Sequence, residues 1–162
     1  MFCLLFFVKI LTLNCFVVFS NNNDSSLNKN KLPAASCKTG WYVISKEKKG
    51  ILKKLKGTNI SYYLEPNPVV VSENFRKMEV IDAVDKGKPY SILIITFDEK
   101  GTENWSLATK KNVGGKMGFI LNDELIFAPD LNHQIDNGIS AINDGKFSRA
   151  EILKIKSELE NR

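Results

Sequence analysis

Residues 101–129 read GTENWSLATKKNVGGKMGFILNDELIFAP, and this stretch decides the fold. It carries a helix, a glycine stop and a tight hairpin in immediate succession. The helix is expected to open at Gly101-Thr102, with Thr102 as a hydroxyl N-cap and Glu103 in the first turn, where negative charge suits the helix dipole. Trp105, Ala108, Thr109 and Asn112 fall at helical spacing, and Lys110 and Lys111 sit where positive charge favours a helix end. Gly114-Gly115 supplies the left-handed stop. Two apolar runs, Met117 to Leu121 and Glu124 to Phe127, then flank Asn122-Asp123, whose short side chains tolerate positive φ. Pro129 cannot donate to a ladder, so the second strand is expected to end there or to lie at an edge.

Working outward, Tyr90 to Phe97 is the most strand-like run of the chain. Its centre, Ile92 to Ile95, is unbroken rather than alternating, which predicts a central strand buried on both faces. Trp41 to Ser45, Ser61 to Leu64 and Gly138 to Ile142 read as further strands. Ser72 is expected to cap a short helix with Phe75 and Met78 inward, extended by Val80 to Val84. Lys46 to Lys56 carries Ile51, Leu52 and Leu55 at a spacing that suggests an amphipathic helical turn. At the C-terminal end, Ser148 and Glu151 have capping-box spacing, Phe147 can staple against Ile152, and Ile152, Ile155 and Leu159 line one helix face. These readings describe an α+β domain, a small mixed or antiparallel sheet with two or three helices packed on one face, over residues 40–162.

The preceding residues differ in composition. Residues 1–20, MFCLLFFVKILTLNCFVVFS, are apolar apart from Lys9, Thr12, Asn14 and the closing serine, and read as an export signal peptide or an N-terminal membrane anchor. Cys15 is a lipidation candidate, although Asn14 stands where the lipoprotein signal prefers a small residue. Residues 21–39, rich in Asn, Ser and Lys, read as a flexible polar tether. The expected location is therefore exported, periplasmic or cell-envelope. With three cysteines in all, cleavage after Ser20 leaves Cys37 alone, so no disulfide framework is expected within the mature chain.

A net charge of +5 and a pI near 9.0 suit anionic partners, but the lysines are scattered. They lack the aromatic interleaving of a stacking surface, so no nucleic acid is expected. The single histidine, His133, lies in a polar loop near Asp130 and Asp136, with no second histidine or cysteine at metal spacing. Gly114-Gly115-Lys116 lacks the remaining residues of a phosphate loop. The carboxylates form no pair assignable to one site. The expectation is a protein that is not an enzyme, with no catalytic residue, cofactor or metal; a hydrolase using His133, Asp130 and Asp136 is the minor alternative.

The order of these segments resembles the head subdomain of the first periplasmic region of SecD and SecDF, accessory membrane proteins of bacterial Sec export. The series runs through Pro68-Val69-Val70, the ILIITFDEKG strand and turn, the W-x-x-A-T helix, the GFILNDELIFAP hairpin, the Gly138 to Ile142 strand and the GKFSRAE helix start. The family hairpin usually turns on Asp-Gly, where Asn122-Asp123 stands here. The resemblance implies a head without the family's transmembrane helices and their proton-coupling residues, and it transfers no catalytic residue. It implies a non-enzymatic module that binds extended, exported polypeptide or Sec components, with Leu125, Phe127 and Pro129 as candidate contacts on a free sheet edge. The alternative is an interaction or inhibitory module for one dedicated folded partner.

Overall fold

The computed structural model describes residues 36–143 and 145–162. Residues 1–20, most of the tether and Cys15 lie outside the described residues. Nine strands and two helices follow in order: β1 (Gly40–Val43), β2 (Ile51–Lys54), β3 (Ser61–Leu64), β4 (Val70–Val71), β5 (Phe75–Asp85), β6 (Lys88–Phe97), α1 (Glu99–Lys111), β7 (Met117–Leu121), β8 (Glu124–Phe127), β9 (Ile139–Ile142) and α2 (Arg149–Glu160). The chain is α+β, with antiparallel sheets in the orders β4-β1-β7-β8, β2-β3 and β5-β6-β9.

The β4-β1-β7-β8 sheet is the middle layer. Alternation along its strands sends side chains to opposite faces. Trp41 and Val43 of β1, with Met117, Phe119 and Leu121 of β7, enter one core, shared with Leu93 and Ile95 of β6, Trp105 of α1 and Ile152 of α2. Tyr42 and Ile120 point the other way, into a smaller core with Leu64, Leu125 and Cys37 beneath the β2-β3 hairpin. All residues of β1 and β7 are consequently buried. Trp41 is the hub of an aromatic group, its ring centroid 5.2 Å from Trp105 and 5.0 Å from Phe119.

Several expectations need correction. Residues 75–85 form a strand rather than a helix. Met78 and Val80 pack on the core at period 2, and Ser72–Asn74 is a single 3-10 turn, with Asn74 Oδ1 accepting the Val71 N–H at 3.3 Å. The i, i+3 pair Phe75 and Met78 would fall on opposite faces of a regular strand, and the register shift at Arg76 in the pairing with β6 brings both to the core side. Residues 51–54 are likewise a strand: Ile51, Lys53 and Leu55 turn inward while Leu52 and Lys54 stay exposed. Helix α1 begins at Glu99, before the expected start. Its N-cap is Asp98, whose Oδ1 accepts the Gly101 N–H at 2.7 Å, and Thr102 Oγ1 instead donates to the Asp98 carbonyl at 2.7 Å.

Strand β6 is central in its sheet, as expected, but it is buried on one face only. Ser91, Leu93, Ile95 and Phe97 are buried, whereas Ile92, Ile94 and Thr96 are half-exposed. Strands β1 and β7 are buried on both faces along their whole length, and β8 from Leu125 to Phe127. The expected hairpin turn is present, with Asn122 at φ 50° and Asp123 at φ 68°. The capping box of α2 is complete: Glu151 N–H donates to Ser148 Oγ and Ser148 N–H to Glu151 Oε2. Its inward face is Ile152, Ile155 and Leu159, and Phe147 packs on the same core as Ile152.

A candidate polypeptide-binding face

The edge read from the sequence is occupied. Strand β8 does end its sheet, but Leu125 is 0% and Phe127 4% exposed, one in each core. The backbone of β8 is also covered at Leu125. Leu55 bridges to it in parallel, and the Lys56 N–H donates to the Leu125 carbonyl at 2.8 Å. Ion pairs lock the two hairpins together, Lys56 to Glu124 at 2.6 Å and Lys53 to Asp123 at 2.5 Å. Pro129 is half-buried, and its carbonyl accepts the Met117 N–H at 3.1 Å.

Asp123 does more than turn the hairpin. Its Oδ1 accepts the Cys37 N–H at 2.7 Å, tying the segment before β1 to the turn. The Lys53 hydrogen bond, with help from that N–H, holds the Asp123 carboxyl below its ordinary range. Cys37 itself, read as part of the tether, is buried, and burial pushes its thiol pKa up, so the thiol stays protonated and weakly reactive. The structure does not gather His133, Asp130 and Asp136 into a site. All are exposed, and Asp130 is paired with Lys116 at 2.6 Å. Among the described residues no cluster of His, Cys, Asp and Glu could hold a metal.

The feature that stands out is the outer face of the β5-β6-β9 sheet. The registers place Ile81 beside Ile92, Ala83 beside Tyr90, Ile94 beside Ala141 and Thr96 beside Ile139. All of these point away from the core that holds Leu93, Ile95 and Ile142. Both helices bury their apolar stripes in that core, α1 through Trp105 and α2 through Ile152, Ile155 and Leu159. No described strand or helix covers the opposite face. Ile92, Ile94, Tyr90 and Ile139 are half-exposed there, and Ile81 is 49% exposed. The face is largely apolar, and it also carries Lys77 beside Thr96 and Glu79 beside Ile94, the two charges paired with each other at 2.8 Å.

This face explains the sequence of β6. The unbroken Ile92 to Ile95 run has the composition of a strand buried twice, and the fold buries it once. The signal was present, but it marked a surface rather than a second core. Strand β5 adds an open edge, since it pairs with β6 on one side and with no described strand on the other.

Among the described residues no helix is long and apolar enough to cross a membrane. The model of the SecDF P1 head subdomain matches residues 48–160. That range takes in the β2-β3 hairpin and leaves β1 outside. Among solved structures, the chain is similar to SecDF in its super-membrane-facing form, with a TM-score of 0.56 and 17% identity over 74% of this chain and 18% of that one. It is also similar to a structure of SecDF described as a membrane component that enhances protein export, with a TM-score of 0.55 and 16% identity over 76% of this chain and 63% of that one. The chain thus spans less than two thirds of either structure. No curated protein matches it. By the family match and the order of its strands and helices, the chain belongs to the SecDF P1 head subdomain family.

Proposed function

We propose that this domain serves protein export as a non-enzymatic, extracytoplasmic binding module that holds extended polypeptide on the outer face of β5, β6 and β9. The family membership supports the export-related role. The observation that carries the binding reading is the uncovered, largely apolar face built by Ile81, Tyr90, Ile92, Ile94 and Ile139. An apolar sheet surface suits side chains presented by an extended segment, with little demand for their sequence. The side chains of Leu125 and Phe127 are buried, which favours the outer face of β5, β6 and β9 over them as the contact surface.

The test is in-cell photocrosslinking of the full chain from Ile94, with Leu52, exposed on the β2-β3 hairpin, as the control position. Captured adducts are identified by mass spectrometry. A spread of exported polypeptides at Ile94, absent at Leu52, is the expected result. One stoichiometric folded partner would make this a dedicated interaction module, and capture no greater than at Leu52 would remove the face from consideration.

A further inference from the structure

We infer that the free edge of β5 pairs antiparallel with β5 of a second copy of this chain, joining two three-stranded sheets into one continuous sheet. The inference stands on the edge itself and does not depend on what the outer face binds.

The first observation is the state of that edge. Strand β5 runs from Phe75 to Asp85, and its outer side is unpaired among the described residues. A register shift at Arg76 interrupts the ladder with β6, but from Lys77 to Asp85 the pairing is regular. Long edges are normally blunted by bulges or charge. Here the bulge sits at one end and leaves the regular stretch intact, and the charges on that stretch are Lys77, Glu79, Asp82 and Asp85.

The second observation is which backbone groups face outward. Val84 lies opposite Pro89. Proline has no N–H, so this pair cannot exchange the ladder bonds with β6. The Val84 N–H and carbonyl therefore point to the free side. By alternation, so do those of Met78, Val80 and Asp82.

The third observation is charge, which selects the partner and the register. The regular stretch begins with Lys77 and ends with Asp85. An antiparallel copy centred on Ile81 brings each Lys77, which already pairs with Glu79 of its own strand at 2.8 Å, opposite the other copy's Asp85, where it can bridge both carboxylates. It sets Ile81 against Ile81 and matches Met78 to Val84, which is otherwise 70% exposed. It keeps the outer faces of both sheets on the same side, because residues of like parity oppose each other. Sliding the copy to centre on Asp82 would set Asp82 against Asp82 and Glu79 against Asp85, which opposed like charges disfavour. Centring on Val80 would leave Lys77 opposite Ala83 and Glu79 opposite Ile81, with no ion pair. A parallel copy would stack like on like.

In the favoured register Ile81 faces its own copy as a pair without ladder bonds, with Cα atoms about 4.5 Å apart. That lies within the span of about 4.4–6.8 Å that a disulfide bridges. The experiment is therefore oxidative crosslinking of the full chain carrying Ile81→Cys, with Cys3 and Cys15 replaced by Ser. Leu52→Cys serves as an exposed control. Because Ile81 is half-exposed, the substitution does not threaten folding. We expect disulfide dimer to form about tenfold or more faster at position 81 than at position 52, since pairing raises the local thiol concentration. Adding Lys77→Glu should remove that advantage, and combining Lys77→Glu with Asp85→Lys should restore it. Equal rates at the two positions would overturn the inference. So would adducts of the thiol at position 81 with other proteins in place of its own copy, which would assign the edge to a foreign strand.

Discussion

Trp41 Nε1 donates a hydrogen bond to Ser140 Oγ at 3.0 Å, with both side chains buried. This bond ties β1 of the middle sheet to β9 of the outer one, across 99 residues of sequence. Trp41 lies outside residues 48–160 of the family match, yet it centres the aromatic group.

Ser140→Ala leaves that indole N–H buried without a partner. We expect a loss of about 1–3 kcal/mol, the usual cost of an orphaned buried donor. A urea unfolding curve followed by tryptophan fluorescence measures it. The Trp105 indole N–H is buried and unpaired already, so a null effect would mean that this core tolerates a second orphan.

Asp123→Gly should destabilise the fold although it improves the hairpin turn. Glycine relieves the positive φ at this position, a gain of up to about 1 kcal/mol. The carboxylate it removes accepts from the Cys37 N–H and from Lys53, and a hydrogen bond to a charged group contributes about 1.5–3 kcal/mol, less here because Asp123 is half-exposed. The net expectation is a loss of about 1 kcal/mol in a denaturant midpoint series. Asp123→Asn keeps an acceptor and should fall between wild type and Gly.

Asn143 organises the link between β9 and α2. Its Nδ2 donates to the Ser91 carbonyl at 2.6 Å and to the Phe147 carbonyl at 3.0 Å, while Oδ1 accepts from Gly145 and Phe147 N–H groups. It does so at φ 139°, a conformation that side chains rarely adopt. Asn143→Ala loses the bonds and keeps the strain, and should cost about 2–4 kcal/mol. Asn143→Gly loses the same bonds but relaxes the backbone, so its thermal midpoint should lie above that of the alanine variant.

Acid should destabilise the domain through its capping carboxylates. The Gly101 N–H, and then Asn74, hold Asp98 below its ordinary 3.8, and Ser148 holds Glu151 below 4.5. Groups with depressed folded-state values contribute stability above their unfolded values and lose it as pH falls through the folded ones. The urea midpoint should therefore be flat near neutrality and fall below pH 4.5. Asp98→Asn keeps a capping acceptor but cannot titrate, so it should flatten part of that fall. An unchanged slope would show that Asp98 titrates alike in both states.

The readings that held rest on signals contained within a few residues. The Asn122-Asp123 turn, the Ser148-Glu151 capping box, the stripe of Ile152, Ile155 and Leu159, and the strand at Ser61–Leu64 each depend on neighbours in the chain. Local backbone preference is enough to specify such features, and their order was enough to reveal the family. The stretches at 51–54 and 75–85 carry apolar spacings that serve a helix or a strand equally well. There the choice belonged to strands distant in sequence, because a ladder satisfies backbone groups that only the partner can reach. Burial was decided in the same way. Met117 to Leu121 and Ile92 to Ile95 are similar apolar runs, but cores formed on both sides of β7 and on one side of β6. Hydrophobicity is a property of the residue, whereas burial depends on what the rest of the chain brings to each face, and that difference turned a predicted inner strand into the candidate binding surface.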